Sequence, residues 1–168
     1  MNPMRNIRIE KLTLNIGAGK DTVKLEKGTK LLEIITGIKP VKTFTRKRIP
    51  NWGLRPGLPI GCKLTLRKEA ARQLLLKLLK AKENRLAESN FDEQGNISFG
   101  IPEYIDIPDV GYSPEIGIMG LQVCVTLERP GFRIRRRATA KKKIPPRHRI
   151  RKEESIDYLK KGFGAVVE

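Results

Sequence analysis

The chain is poor in the groups from which most catalytic and metal sites are built. Its single histidine, His148, stands between Arg147 and Arg149. A nucleophilic triad needs a base of that kind held beside a nucleophile. In a run of cations His148 reads more simply as one more hydrogen-bond donor. The two cysteines, Cys62 and Cys124, are far apart and match no zinc-ligand spacing. Each is expected as a small, reduced filler of a strand. No run of about 18 apolar residues exists, so neither a membrane span nor a membrane partner is expected. The opening MNPMRNIRIEK has no apolar signal core, and the expected compartment is the cytoplasm. Aromatics are scarce at 5%, and hydrophobic residues at 39% make a lean core. A metal-dependent nuclease would need converging carboxylates, yet the acids fall mainly in loop-like stretches. No catalytic residue, metal or cofactor is expected.

What the chain has is positive charge, +17 over 168 residues with a pI near 10.2. Such a balance attracts phosphate or anionic lipid. The charge is uneven. Residues 39–68 hold nine Lys or Arg and no acid, and residues 129–152 hold twelve and no acid. Between them, residues 86–128 carry eight acids and no Lys or Arg. The acids read as a solvated face, or as one kept away from a polyanion. Both basic segments are rich in Pro, Gly and Thr rather than arranged on one amphipathic helix. That tilts the partner from lipid to nucleic acid.

The first basic segment surrounds the only tryptophan, Trp52, in a loop punctuated by Pro50, Gly53, Pro56, Gly57, Pro59 and Gly61. Arg46, Lys47, Arg48, Asn51, Trp52 and Arg55 in such a loop suit a partner with phosphates and stacking bases. A solvated loop with the indole folded back on the core is the other reading. The Gly17–Thr22 stretch resembles a fragment of a phosphate loop but lacks its full spacing.

Periodicity predicts an α+β fold. Residues 11–16, 62–67 and 121–127 alternate as half-buried strands, with a bulge expected near Glu10 because Ile7 and Ile9 are out of phase. Short strands are expected at 96–100 and 132–136, an extended piece at 42–46, and an edge strand closing the sheet at 162–167. Helices are expected at 23–36, 69–83 and 153–161. Residues 84–95 and 101–120 read as loops, and 137–151 as mobile until a polyanion orders it. The expected architecture is one domain, 1–168, with a basic extension at about 133–152. A mostly antiparallel curved sheet has its helices on one face. Its other face carries Lys11, Thr13, Asn15, Lys63, Thr65 and Arg67. Hydroxyls and amides on an open sheet can reach ribose 2′-OH groups and bases, which favours RNA.

Several motifs carry a family resemblance in unbroken order. They are Leu14-Asn15-Ile16-Gly17, Thr36-Gly37 with Lys39-Pro40-Val41, Pro59 to Arg67, Phe91-Asp92, and Gly95 to Gly100. Together they resemble the "L-five" family of large-subunit ribosomal proteins that anchor 5S rRNA. Gly117-Ile118-Met119-Gly120-Leu121, Arg129-Pro130-Gly131-Phe132 and the basic tail resemble its archaeal and eukaryotic branch. The resemblance implies a structural component of the large subunit that binds 5S rRNA and helps form the central protuberance. It implies rRNA contacts by Asn15, Gly17, Thr36, Gly37, Arg46, Lys47, Arg48, Trp52 and Arg55. Ile38 stands where the family usually has glutamine, so one base-specific hydrogen bond is expected to be missing. The tail, with Arg133, Arg135, Arg136 and Arg137, is expected to thread among large-subunit rRNA. The loop at 84–95, with Asn84, Arg85, Asn90 and Phe91, corresponds to the one that leans toward P-site tRNA. With Arg85 its only cation, a weaker tRNA contact is expected. Neighbouring ribosomal proteins are further expected partners, and a homo-oligomer is not. The competing reading is an RNA-acting enzyme or a free RNA chaperone.

Overall fold

Alternation at 11–16 becomes the middle strand of a five-stranded sheet. The computed structural model describes residues 2–168. In chain order the elements are β1 (Arg8–Gly17), α1 (Thr22–Thr36), β2 (Val41–Phe44), β3 (Pro59–Leu66), α2 (Lys68–Lys80), β4 (Arg85–Leu86), β5 (Ile97–Ile101), β6 (Leu121–Glu128), α3 (Lys152–Phe163) and β7 (Val166–Val167). The main sheet runs β2-β3-β1-β6-β5, and every neighbouring pair is antiparallel. The register of β1 against β6 shifts between Ile9 and Lys11, the bulge that the out-of-phase isoleucines require.

One face of the sheet is dry. Leu12, Leu14 and Ile16 of β1, Cys62, Leu64 and Leu66 of β3, and Leu121, Val123, Val125 and Leu127 of β6 are all buried. Helix α1 packs on β3 and α2 on β1. Ala71, Leu74, Leu75, Leu78 and Leu79 of α2 recur at helical spacing and are all buried. Burial contributes about 1.5–3 kcal/mol for each such leucine. Asp21 caps α1 by accepting from the N–H groups of Val23 and Lys24 at 2.9 and 3.1 Å. Gly37 ends the helix in the left-handed region at φ 70°.

The long segment before β6 closes the same core. Tyr104, Ile107, Ile116 and Met119 are buried, and the Tyr104 hydroxyl accepts from the Ser113 N–H at 2.9 Å. Two of its acids meet the helices. Asp109 pairs with Lys77 of α2 at 2.8 Å, and Glu115 with Lys30 of α1 at 3.1 Å.

The structure departs from the sequence reading at the C-terminal end. Phe132–Arg135 is a turn of 3-10 helix, not a strand. Gly131, at φ 93°, turns the chain out of the sheet before any pairing can continue. Val166–Val167 does not close the main sheet. It pairs in parallel with Arg85–Leu86 as a separate two-stranded ladder. The segment 137–151, expected as mobile, is held at two points, because Ile144 and Ile150 are buried. Two apolar side chains in a polar run suffice to pin it, which its composition concealed.

Candidate nucleic-acid interface

The second sheet face is built from the residues between the buried ones. Directly paired residues of antiparallel strands share a face, so register defines its rows. One row runs Val41, Lys63, Asn15, Gln122, Gly100, and the next Thr65, Thr13, Cys124, Ser98. A third pairs Thr43 with Gly61 and Gly17. These three rows contain no acid. Asn15, Lys63, Thr65, Gln122 and Ser98 are exposed, while Lys11 and Thr13 are half-buried. Gly61 is required where it stands, since a Cβ there would lie 2.6 Å from the Ile16 carbonyl oxygen. Gly61 itself is buried, and Gly17 beside it is exposed.

The β2–β3 loop continues this face as a built structure. Thr45 is buried; its N–H and hydroxyl both donate to the Leu58 carbonyl, at 2.9 and 3.1 Å. Ile49 and Leu54 form a bridge, with Leu54 buried beneath it. Gly53 at φ 67° then turns the chain after a short 3-10 helix, Pro50–Trp52. This scaffold leaves Arg46, Lys47, Arg48, Asn51 and Arg55 exposed, with no acidic partner among the described residues. Trp52 is 68% exposed, so the reading that folds it onto the core is excluded. Phe44, on the edge strand β2, and Ile38, just past α1, are also exposed. The Thr36 hydroxyl donates to the Leu32 carbonyl at 2.7 Å, so Thr36 and Gly37 shape the end of α1.

The basic tail is different. Arg136 forms ion pairs with Glu10 and with Glu128, the latter at 2.6 Å. Glu128 also pairs with Arg8 at 2.8 Å. Arg137 donates to the Ala140 carbonyl at 2.6 and 2.9 Å. Arg136, expected to meet RNA, is therefore matched mainly inside the protein, because the Glu10 bulge brings a carboxylate to it. Arg133 and Arg135 remain exposed without an acidic partner among the described residues. Arg129, at the start of the run, is only 5% exposed. It pairs with Glu154 at 2.6 Å and donates to the His148 and Arg149 carbonyls, while its Nε finds no partner. Burial tends to raise the Glu154 carboxyl, but the Arg151 N–H and the Arg129 guanidinium outweigh it and hold it below the usual range. His148 lies 2.8 Å from the Pro130 carbonyl, and its ring meets Phe132 edge-on. Its role is structural. Burial pushes the Cys62 and Cys124 thiols up, and both are free.

The loop after α2 holds a second correction. Phe91 is buried in the core and cannot stack on a partner. Asn84 sits at φ 59° and its carbonyl accepts from the Val166 N–H at 2.7 Å. Arg85 is exposed and Asn90 half-buried.

A sheet face whose central rows carry no acid, bordered by unpaired cations and a solvent-facing indole, defines an open-sheet α+β protein of the RNA-binding class. Residues 2–55 match the family described as ribosomal protein L5, and residues 59–158 match the model for the C-terminus of that same ribosomal family. The chain is 48% identical over 168 residues to the large ribosomal subunit protein uL5 of Sulfurisphaera tokodaii, covering 99% of this chain and 95% of that protein. Identity to uL5 of Nanoarchaeum equitans is 50% over 167 residues, covering 99% and 98%. To uL5 of Methanosphaera stadtmanae it is 45% over 168 residues, covering 100% of both. The chain belongs to the ribosomal L5 family, in its archaeal branch. The family is structural rather than enzymatic, and its members are constituents of the large subunit of the cytoplasmic ribosome. β1 and β2 from the first matched region pair with β3 and β6 from the second.

Proposed function

We propose that this protein anchors 5S rRNA in the central protuberance of the large subunit, binding it with the open sheet face and the β2–β3 loop. The observation that carries this reading is the continuity of the two surfaces. Lys63, Asn15 and Thr65 lead past the exposed Gly17 to Arg46, Lys47, Arg48, Asn51, Trp52 and Arg55 with no acid between them. Cations there neutralise phosphates, the hydroxyls and amides reach sugars and base edges, and the indole offers a stacking plane. The chain acts as one unit, with Arg133, Arg135 and their neighbours extending toward large-subunit rRNA. A lighter contact with P-site tRNA runs through Arg85, Asn84 and Asn90, without Phe91.

The test is equilibrium binding of purified protein to 5S rRNA across salt. With roughly 6–10 phosphates engaged, affinity falls by about 10³–10⁵ between 50 and 200 mM salt. A salt-independent affinity would overturn the reading. One copy per large subunit, retained through a salt wash, separates it from a free chaperone. Turnover of RNA by the free protein would establish an enzyme instead.

A further inference from the structure

Beyond the sheet face, the basic tail folds back to enclose a cavity of about 430 Å³ at the far end of β1 and β6. The volume lies in the range of about 300–1,000 Å³ usual for small-ligand sites. Apolar side chains line part of it: Leu127, Phe132, Ile144 and Ile150. Ile150 is seated against Gly95, where an added Cβ would come within 2.6 Å of its Cγ2. Arg135, Lys141, Lys142, Lys143 and Arg149 also line the cavity, and none has an acidic partner among the described residues. Glu10, the one acid in the lining, is already matched by Arg136 and lies 3.6 Å from Arg67. Gln94 and Asn96 contribute side-chain amides.

Five uncompensated cations around one concavity repel each other until an anion enters. The apolar patch between them excludes a bare phosphate as the whole ligand. We infer that the cavity receives a single nucleotide, its base against Phe132, Ile144 and Ile150 and its phosphate among Arg135 and Lys141 to Lys143. Thr126 lines the cavity and shares the face of Cys124 and Gln122, so the cavity opens at the end of the RNA-binding surface. A nucleotide extruded from a bound RNA is the source that this position favours. The inference rests on the RNA-binding reading and adds a site to it. Unpaired nucleotides are the cheapest to extrude.

The experiment compares a hairpin RNA carrying one bulged 2-aminopurine with the same hairpin fully paired. Tighter binding of the bulged form by at least about fivefold, with a change in 2-aminopurine fluorescence, is expected from burial of one base. Combined Lys141→Gln, Lys142→Gln and Lys143→Gln, all at exposed positions, should bring the bulged-to-paired ratio close to one. Ile144→Glu should do the same, with folding checked by circular dichroism; the lysine variant decides if Ile144→Glu does not fold. Competition by free adenosine monophosphate at micromolar concentration would support the same site and assign a free nucleotide as its source. Equal binding of both hairpins by the unmodified protein overturns the cavity inference. Failure to bind either hairpin overturns the RNA reading beneath it.

Discussion

The β2–β3 loop and the tail at 129–152 look alike in composition, each a cation-rich run without an acid. In three dimensions they diverge. The loop turns every one of Arg46, Lys47, Arg48 and Arg55 outward, on a frame fixed by Thr45 and Leu54. The tail gives Arg129 to Glu154 and Arg136 to Glu10 and Glu128, and buries Ile144 and Ile150. A count of lysines and arginines therefore measures attraction for RNA only where the fold leaves them unpaired. The acids that match the tail come from β1, β6 and α3, and Glu10 among them reaches Arg136 from the other end of the chain.

The contrast can be broken at its strongest point first. Arg129→Met removes the buried guanidinium that holds Glu154 and the His148 and Arg149 carbonyls together, so stability should fall by about 3 kcal/mol in urea unfolding. RNA affinity per folded molecule should stay unchanged; a stable variant with weak RNA binding would make Arg129 an RNA contact. In the loop the signs reverse. Replacing Arg46, Lys47 and Arg48 with Ala should weaken 5S rRNA binding by about 100-fold, lower the salt slope by about 3, and leave the unfolding midpoint in place. An unchanged slope would remove the loop from the interface. Trp52→Ala should lose about 1–3 kcal/mol of binding, with the salt slope unaltered, because stacking releases no counterions.

The smallest effect concerns acid. Glu154 is held below its ordinary value of 4.5 in the folded chain, so its contribution is present above that value and lost as pH falls through the folded value. Unfolding free energy should drop more steeply below about pH 4.5 for the unmodified protein than for Glu154→Gln. Parallel curves would show that the Arg129 pair does not hold the tail.

Much of this molecule is legible in one dimension. The alternation of Leu12, Leu14 and Ile16, the leucine stripe of α2 and the bulge at Glu10 all follow from side-chain period, which is a local property. The outward set Asn15, Lys63 and Thr65 follows from the same period. Phe91 escapes such a reading because one aromatic in a polar loop has no period to reveal its side. The 3-10 turn at Phe132–Arg135 imitates a strand because Phe132 and Ile134 alternate with arginines, while Gly131 redirects the chain. Arg136 and Arg129 look free in the sequence because no local period links them to Glu10, Glu128 and Glu154.

By itself the sequence determined the sheet, its wet and dry faces, the helices behind it and the surplus of positive charge. Local period and composition are enough for those, since each depends on residues a few positions apart. Only the tertiary structure decided which cations stay unpaired, that the tail folds back over the end of β1 and β6, and that a cavity forms beneath it. Those outcomes depend on how strands register and where the chain turns, and so on contacts between residues that no local pattern links.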